Sequence, residues 1–291
     1  MKILLTGASG FVGRHVLACL LRQGLEVAVV GRSRPLGYSQ EFIFSDLLES
    51  DAGANVIREA RASHLIHLAW YAEHGQYWTS PLNLRWVDAS IRLIEAFCES
   101  GGRQVVAAGT CAEYDWSNGY CLEDVSPLVP ATLYGVSKDA TRRLVSHICS
   151  AHGIALAWGR IFLPFGPGED ERRLIPSLVR VFMDQSQPFG VNAQAYRDLL
   201  HVDDVASAIA QLLLTNSVGS YNISSGQPTR ISDVVRWMGN VSGKDPDIVL
   251  NLATERPNEP LMLIGDNRKL KDIGWKMQRH LIDHISELMT R

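Results

Sequence analysis

Lys2-Ile3-Leu4-Leu5-Thr6-Gly7-Ala8-Ser9-Gly10-Phe11-Val12-Gly13 opens the chain and decides how the rest is read. A short apolar run followed at once by glycines three apart predicts a buried strand, a sharp turn and a helix start. Glycine lets the backbone approach a pyrophosphate, whose charge is favoured at a helix N-terminus. The spacing is G-x-x-G-x-x-G, looser than the G-x-G-x-x-G of many dehydrogenases, and glycines also close ordinary βα turns. Directly after a first buried strand, however, the turn favours a bound nucleotide, with Gly7, Ser9, Gly10, Phe11, Val12 and Gly13 around it.

Working outward, residues 3–5, 27–30, 42–44, 65–68 and 104–107 read as buried parallel strands. Helical patterns at 14–22, 55–62 and 87–99 fall between them. In the last of these, Val87, Ile91, Ile94 and Cys98 form an apolar stripe that Leu93 and Phe97 widen. A sixth strand is expected at 156–162, a helix near 174–184, a late strand at 221–223 and a helix at 231–241. This succession predicts an α/β fold, a doubly wound parallel Rossmann sheet with a smaller C-terminal lobe. The expected division is 1–165 with 199–225 for the dinucleotide-binding domain, and 166–198 with 226–291 for the lobe.

At 291 residues the chain can bury a full core, and 46% hydrophobic with 20% charged residues is ordinary for a soluble protein. A net charge of −3 gives no reason to expect nucleic acid or an anionic membrane. No apolar run approaches the ~20 residues of a membrane helix, and the N-terminus lacks a signal-peptide pattern. Five cysteines without C-x-x-C spacing suit a reduced, cytoplasmic setting and predict neither a disulfide framework nor a zinc site.

The second strand ends Val30-Gly31-Arg32-Ser33-Arg34, where an NAD site usually carries an acidic residue for the ribose hydroxyl. Two guanidinium groups flanking a hydroxyl suit a 2′-phosphate instead, so NADP(H) is preferred and NAD(H) remains possible. Asp46 and Leu47 are placed to border the adenine. Tyr134 and Lys138 stand four apart in Tyr-Gly-Val-Ser-Lys and share a helical face. A neighbouring ammonium stabilises a phenolate, which is how a tyrosine becomes a general acid or base. The same spacing also occurs on solvated helix faces.

As an ordered set the chain resembles the extended short-chain dehydrogenase/reductases, in the nucleotide-sugar epimerase/dehydratase branch. The resemblance is carried by Thr6-Gly7-x-x-Gly10-x-x-Gly13, His67-Leu68-Ala69, Thr110, Tyr134-x-x-x-Lys138, Arg160-x-Phe162-x-x-x-Gly166-Pro167 and Arg197-Asp198-x-x-His201-Val202-x-Asp204. It implies that Tyr134 is the general acid/base, that Lys138 lowers its pKa and holds the nicotinamide ribose, and that Thr110 bonds the reacting oxygen. Leu68, Ala69 and Trp70 would border the cofactor. Arg197 would grip a substrate diphosphate and Arg256 would be a second clamp, though either could be a structural ion-pair partner. Leu174 lies where the family packs the nucleobase. His74, in an aromatic cluster with Trp70, Tyr71, Tyr77 and Trp78, is placed to bind a sugar hydroxyl, as are Cys111 and Glu113 to contact substrate.

Departures narrow the chemistry. Dehydratases of the branch carry an Asp-Glu pair after the threonine; Cys111-Ala112 stand there and cannot eliminate water. The function expected from the sequence is NADPH-dependent reduction of a 4-keto-6-deoxy nucleoside-diphosphate sugar, as in deoxysugar biosynthesis, with a nucleotide-sugar 4-epimerase as the alternative. A ketoreductase for non-sugar carbonyls and a non-catalytic dinucleotide sensor rank lower. The resemblance also implies a homodimer through helices near 84–100 and 132–151.

Overall fold

The computed structural model describes residues 1–254 and 259–289. Strands β1 (Lys2–Thr6), β2 (Glu26–Gly31), β3 (Phe42–Phe44), β4 (His64–His67) and β5 (Gln104–Thr110) join Ala155–Ile161 and Gly219–Ile223 in a seven-stranded sheet. Its order is Gly219–Ile223, Ala155–Ile161, β5, β4, β1, β2, β3, and every pairing is parallel. This is the doubly wound α/β arrangement, with the strand order reversing beside β1.

Strands buried on both faces need apolar residues at successive positions. In β1, Ile3 and Leu5 face one layer and Leu4 the other. Helices α1 (Phe11–Arg22) and a later one, Val202–Leu214, cover the Ile3 face through Val16, Leu20, Val205 and Ile209. Helices α2 (Ala52–Ala60), α3 (Leu82–Glu99) and α4 (Leu133–Ala151) cover the Leu4 face through Val56, Leu93, Phe97 and Val145.

Helix α1 begins at Phe11 and α3 at Leu82, ahead of the starts at 14 and 87 that periodicity predicts. Apolar periodicity marks where a helix meets the core, whereas Phe11, Val12, Leu82 and Trp86 face the ligand cleft. For the same reason the buried stripe of α3 is Ser90, Leu93, Ile94, Phe97 and Cys98, with Val87 and Ile91 half-buried at its edge.

A separate apolar core joins helix Leu174–Phe182, helix Ile231–Ser242 and the C-terminal helix Leu281–Met289 through Leu178, Phe182, Val234, Met238 and Ile285. Leu270 and Trp275, which the sequence division gives to the lobe, pack instead with α1 and Val202–Leu214 against the sheet. A cleft of about 1080 Å³ runs from the carboxyl ends of the strands to this separate core, the usual ligand position in such sheets. Among the described residues no helix is long and apolar enough to cross a membrane.

Candidate active site

At the β1 end the cleft is built from backbone. Gly7 takes φ +74°, and a Cβ there would come within 2.7 Å of the Ala69 nitrogen. A Cβ on Gly13 would meet the Gly7 carbonyl oxygen at 1.9 Å, so α1 is pressed onto the turn that precedes it. The first-turn amides of a helix lack intrahelical partners, and the N-cap Gly10 offers no side chain to them. A cradle that any Cβ would fill, opening on unpaired amides, fits a dinucleotide pyrophosphate.

Thr6 locks β4 beside this turn. Its hydroxyl accepts from the Leu68 and Ala69 amides, both at 3.1 Å, and bonds His67 Nδ1 at 2.9 Å. His67 Nε2 meets the Ser90 hydroxyl at 2.8 Å. Burial, with help from Lys138, pushes the His67 pKa down to about 3, so the ring stays neutral.

Of the expected 2′-phosphate group only Arg32 borders the cleft. Arg34 turns away because its Nη1 donates to the Tyr38 and Gln40 carbonyls at 3.3 and 2.9 Å, and its guanidinium lies 5.0 Å from the Phe42 ring centre. Ser33 is exposed outside the cleft lining. Asp46 and Leu47 do line it, and Asp46 Oδ1 accepts from the Leu48 amide at 3.0 Å.

Thr110, Tyr134 and Lys138 come together at the far end of the glycine turn's cleft. Thr132 caps α4 by accepting from the Gly135 amide at 3.1 Å. Gly135 has no room for a Cβ, which would sit 2.2 Å from the Ala112 carbonyl oxygen. That close approach sets the start of α4 against the turn after β5, so Tyr134 and Thr110 line the same part of the cleft. Lys138 Nζ donates to the Ala108 carbonyl at 2.9 Å and lies 3.9 Å from the Trp70 ring centre.

The electrostatics differ from the expectation that Lys138 lowers the Tyr134 pKa. Burial, then Tyr77, raises the phenol above its ordinary value, and the nearby Thr110 hydroxyl opposes them. Burial pushes Lys138 down to about 7, with Glu113 opposing. In this state the amine is engaged with Ala108 and Trp70 rather than with the phenol.

Aromatic rings wall Tyr134 edge-to-face: Tyr77 at 4.9 Å, Trp78 at 5.8 Å and Trp70 at 6.5 Å between ring centres. Trp70 stacks on Trp86 and donates from Nε1 to Asn83 Oδ1 at 2.8 Å. Asn83 Nδ2 in turn donates to the Tyr77 and Ser80 carbonyls at 2.7 and 2.9 Å. Sequence reasoning missed Asn83; its signal was a polar residue at the start of an apolar helix. His74 lines the cleft.

Leu174, Cys111 and Arg197 also line the cleft. Burial pushes the Cys111 thiol up to about 12, which leaves it a poor acid or base. Arg197 donates to the Pro260 carbonyl at 2.8 Å and pairs with Glu259 at 3.2 Å. Arg256 lies outside the described residues. Glu113 is no substrate contact, because it is buried beneath Thr110 and paired with Arg160 at 2.7 Å. Glu169 and Arg173, unforeseen as site residues, line the cleft and pair at 2.9 Å. Burial pushes Glu169 up to about 7, and its Oε2 is buried without a hydrogen-bond partner among the described residues.

The chain is similar along its length to nucleotide-sugar epimerases and dehydratases. It is 25% identical over 313 residues to the UDP-glucose 4-epimerase of Azospirillum brasilense, covering 98% of this chain and 89% of that one. Among solved structures, MoeE5 in complex with UDP-glucose and NAD superposes with a TM-score of 0.86 at 26% identity, covering 100% of this chain and 98% of that one. The Thermus thermophilus UDP-glucose 4-epimerase complex with NAD shares the fold, with a TM-score of 0.84 at 24% identity and the same coverage. The model of the NAD dependent epimerase/dehydratase family matches residues 3–224, and the chain belongs to that family of NAD(P)-dependent enzymes.

Proposed function

We propose that the protein is a nucleotide-sugar 4-epimerase, the alternative reading of its sequence, in preference to the 4-ketoreductase. The observation that carries this is the convergence of Thr110, Tyr134 and Lys138 in a cleft that begins at a dinucleotide cradle. Curated relatives aligned along nearly the whole chain, such as those of Azospirillum brasilense and Bacillus subtilis, are UDP-glucose 4-epimerases.

A bound nicotinamide supplies a reversible two-electron acceptor for the sugar carbon. The chain's residues manage the proton and the geometry. Tyr134 takes the proton from the sugar 4-hydroxyl and later returns it to the ketone oxygen. Thr110 bonds the same oxygen and stabilises developing alkoxide charge. The ammonium of Lys138 favours the phenolate once it faces Tyr134. The wall of Trp70, Tyr77 and Trp78 is apolar and non-directional, so it tolerates a sugar ring presenting either face. In this reading Arg197, on the cleft lining, holds the diphosphate while the ring turns. Glu169 lines the cleft, and its buried Oε2 would reach a sugar or ribose hydroxyl only after a side-chain turn.

One observation favours the ketoreductase: exposed Arg32 borders the cleft, and residues 31–34 hold no carboxylate. The two readings separate cleanly. UDP-glucose incubated with the protein and catalytic NAD should yield its 4-epimer without net reduction. Strict NADPH consumption with a 4-keto sugar, and no epimer, would reverse the choice. A homodimer through α3 and α4 belongs to the same reading; these helices leave Leu84, Val136 and Leu144 exposed, and light scattering of the purified protein tests it.

A further inference from the structure

Beneath Thr110 lies a polar network outside the cleft lining. Glu113 is fully buried, and its carboxylate is saturated. Oε1 accepts from the Thr110 amide at 2.8 Å and the Trp158 indole at 2.9 Å; Oε2 accepts from Arg160 Nε at 2.7 Å. Arg160 continues to the Tyr114 hydroxyl at 3.0 Å, which donates to Asn222 Oδ1 at 2.7 Å. A buried ion pair is a weak device for stability, since apolar side chains of similar volume often serve a fold as well. Its place next to the reacting groups suggests another use.

Three features tie Glu113 to those groups. It shares a capping box with Thr110, whose own hydroxyl accepts from the Ala112 amide at 3.2 Å and which lines the cleft with Tyr134. Its Oε1 lies against Gly109, where a Cβ would come within 2.6 Å, next to the Ala108 carbonyl that accepts from Lys138 at 2.9 Å. Its charge there favours the Lys138 ammonium over the neutral amine, with neutral His67 of β4 on the other side. Its own neighbours are Arg160 from the sheet, Arg142 from α4 at 3.9 Å, and Cys111 and Tyr134 across the site.

We propose that Glu113 is a positioning residue for the reaction inferred above: its oxygens set Thr110 against Tyr134, and its charge supports the Lys138 ammonium. The second effect is electrostatic and the first geometric, so two substitutions separate them. Glu113→Gln removes the charge while keeping the shape. Glu113→Asp keeps the charge but withdraws it from the Thr110 amide.

The titration of Lys138 is read by competitive acylation and mass spectrometry across neutral pH on the whole, unliganded protein. Glu113→Gln is expected to move it downward by about one unit or more. Glu113→Asp should leave that titration in place while lowering kcat for UDP-glucose epimerisation about tenfold, with KM little changed. An unmoved Lys138 titration in Glu113→Gln overturns the proposal, and so does a wild-type kcat in Glu113→Asp. If Glu113→Gln fails to fold, Glu113→Gln with Arg160→Met leaves no unpaired buried charge and carries the same lysine readout. That readout needs no turnover, so failure of wild-type protein to epimerise UDP-glucose sinks the function reading without deciding the role of Glu113.

Discussion

On the β1 side of the cleft the chain meets its ligand with backbone, and on the opposite wall with side chains. Gly7 and Gly13 leave no space that a side chain could occupy, a Cβ on Gly10 would sit tight at 3.3 Å from the Gly7 carbonyl oxygen, and Thr6 clamps the neighbouring strand end onto them. Across the cleft Trp70, His74, Tyr77, Glu169, Arg173 and Arg197 arrive from segments far apart in the chain. A backbone cradle can hold only a group common to all its ligands, such as a pyrophosphate. The side-chain wall can be rewritten one residue at a time, so specificity belongs there.

The largest expected effect breaks chemistry while sparing both halves. Tyr134→Phe should lower kcat about 10²- to 10⁴-fold, the range for a general acid or base, with dinucleotide binding unchanged in a thermal-shift titration. Gly13→Ala attacks the backbone half. With its Cβ 1.9 Å from a carbonyl oxygen the turn must open, and NAD or NADP affinity should fall roughly a hundredfold, about 2.7 kcal/mol. Were Gly13→Ala to bind normally, the contrast between the two walls would be lost.

Lys138→Met sharpens the contrast through stability. The folded protein releases this proton near pH 7, whereas the ordinary value is 10.5. Between those values the unfolded chain binds more protons, so this group's penalty is full below pH 7 and fades as pH rises toward 10.5. Lys138→Met should therefore abolish turnover yet stabilise the unliganded protein at neutral pH by on the order of 1–3 kcal/mol. Chemical denaturation at neutral and alkaline pH would show the gain shrinking upward.

The same contrast explains what could be read before the fold was known. The glycine turn is local: strand, turn and helix start lie within residues 2–13, and their spacing states the geometry directly. The starts of α1 and α3 fall earlier than periodicity predicts because their first turns face ligand rather than core. Helix α2 runs Ala52–Ala60 rather than 55–62 because its first turn is buried through the small Ala52 and Gly53. Links such as Thr6 to His67 or Trp70 to Asn83 depend on which strands and loops meet, and no spacing encodes that. Arg34 was assigned by proximity to the end of β2, but the loop it closes decides its direction. Glu113 is different, because Thr110-x-x-Glu113 is a capping-box signature that was present all along. Read as a cap, it would have removed Glu113 from the list of substrate contacts.

Glu169 gives the smallest effect and the sharpest test of the side-chain wall. Burial holds its proton to about pH 7, whereas an ordinary glutamate releases it at 4.5. Between those values the folded state binds more protons, so this group's contribution to stability falls as pH rises from 4.5 to 7 and then levels. Glu169→Gln removes that slope and should stabilise the unliganded protein by about 1–2 kcal/mol above pH 7 and hardly at all near pH 4.5. If Oε2 accepts a hydroxyl from the ligand, the same variant should raise the KM for UDP-glucose by roughly 3- to 10-fold, about one hydrogen bond. A variant that gained stability without losing affinity would place the hydroxyl-binding group elsewhere on this wall, with His74 and Arg173 the next residues to change.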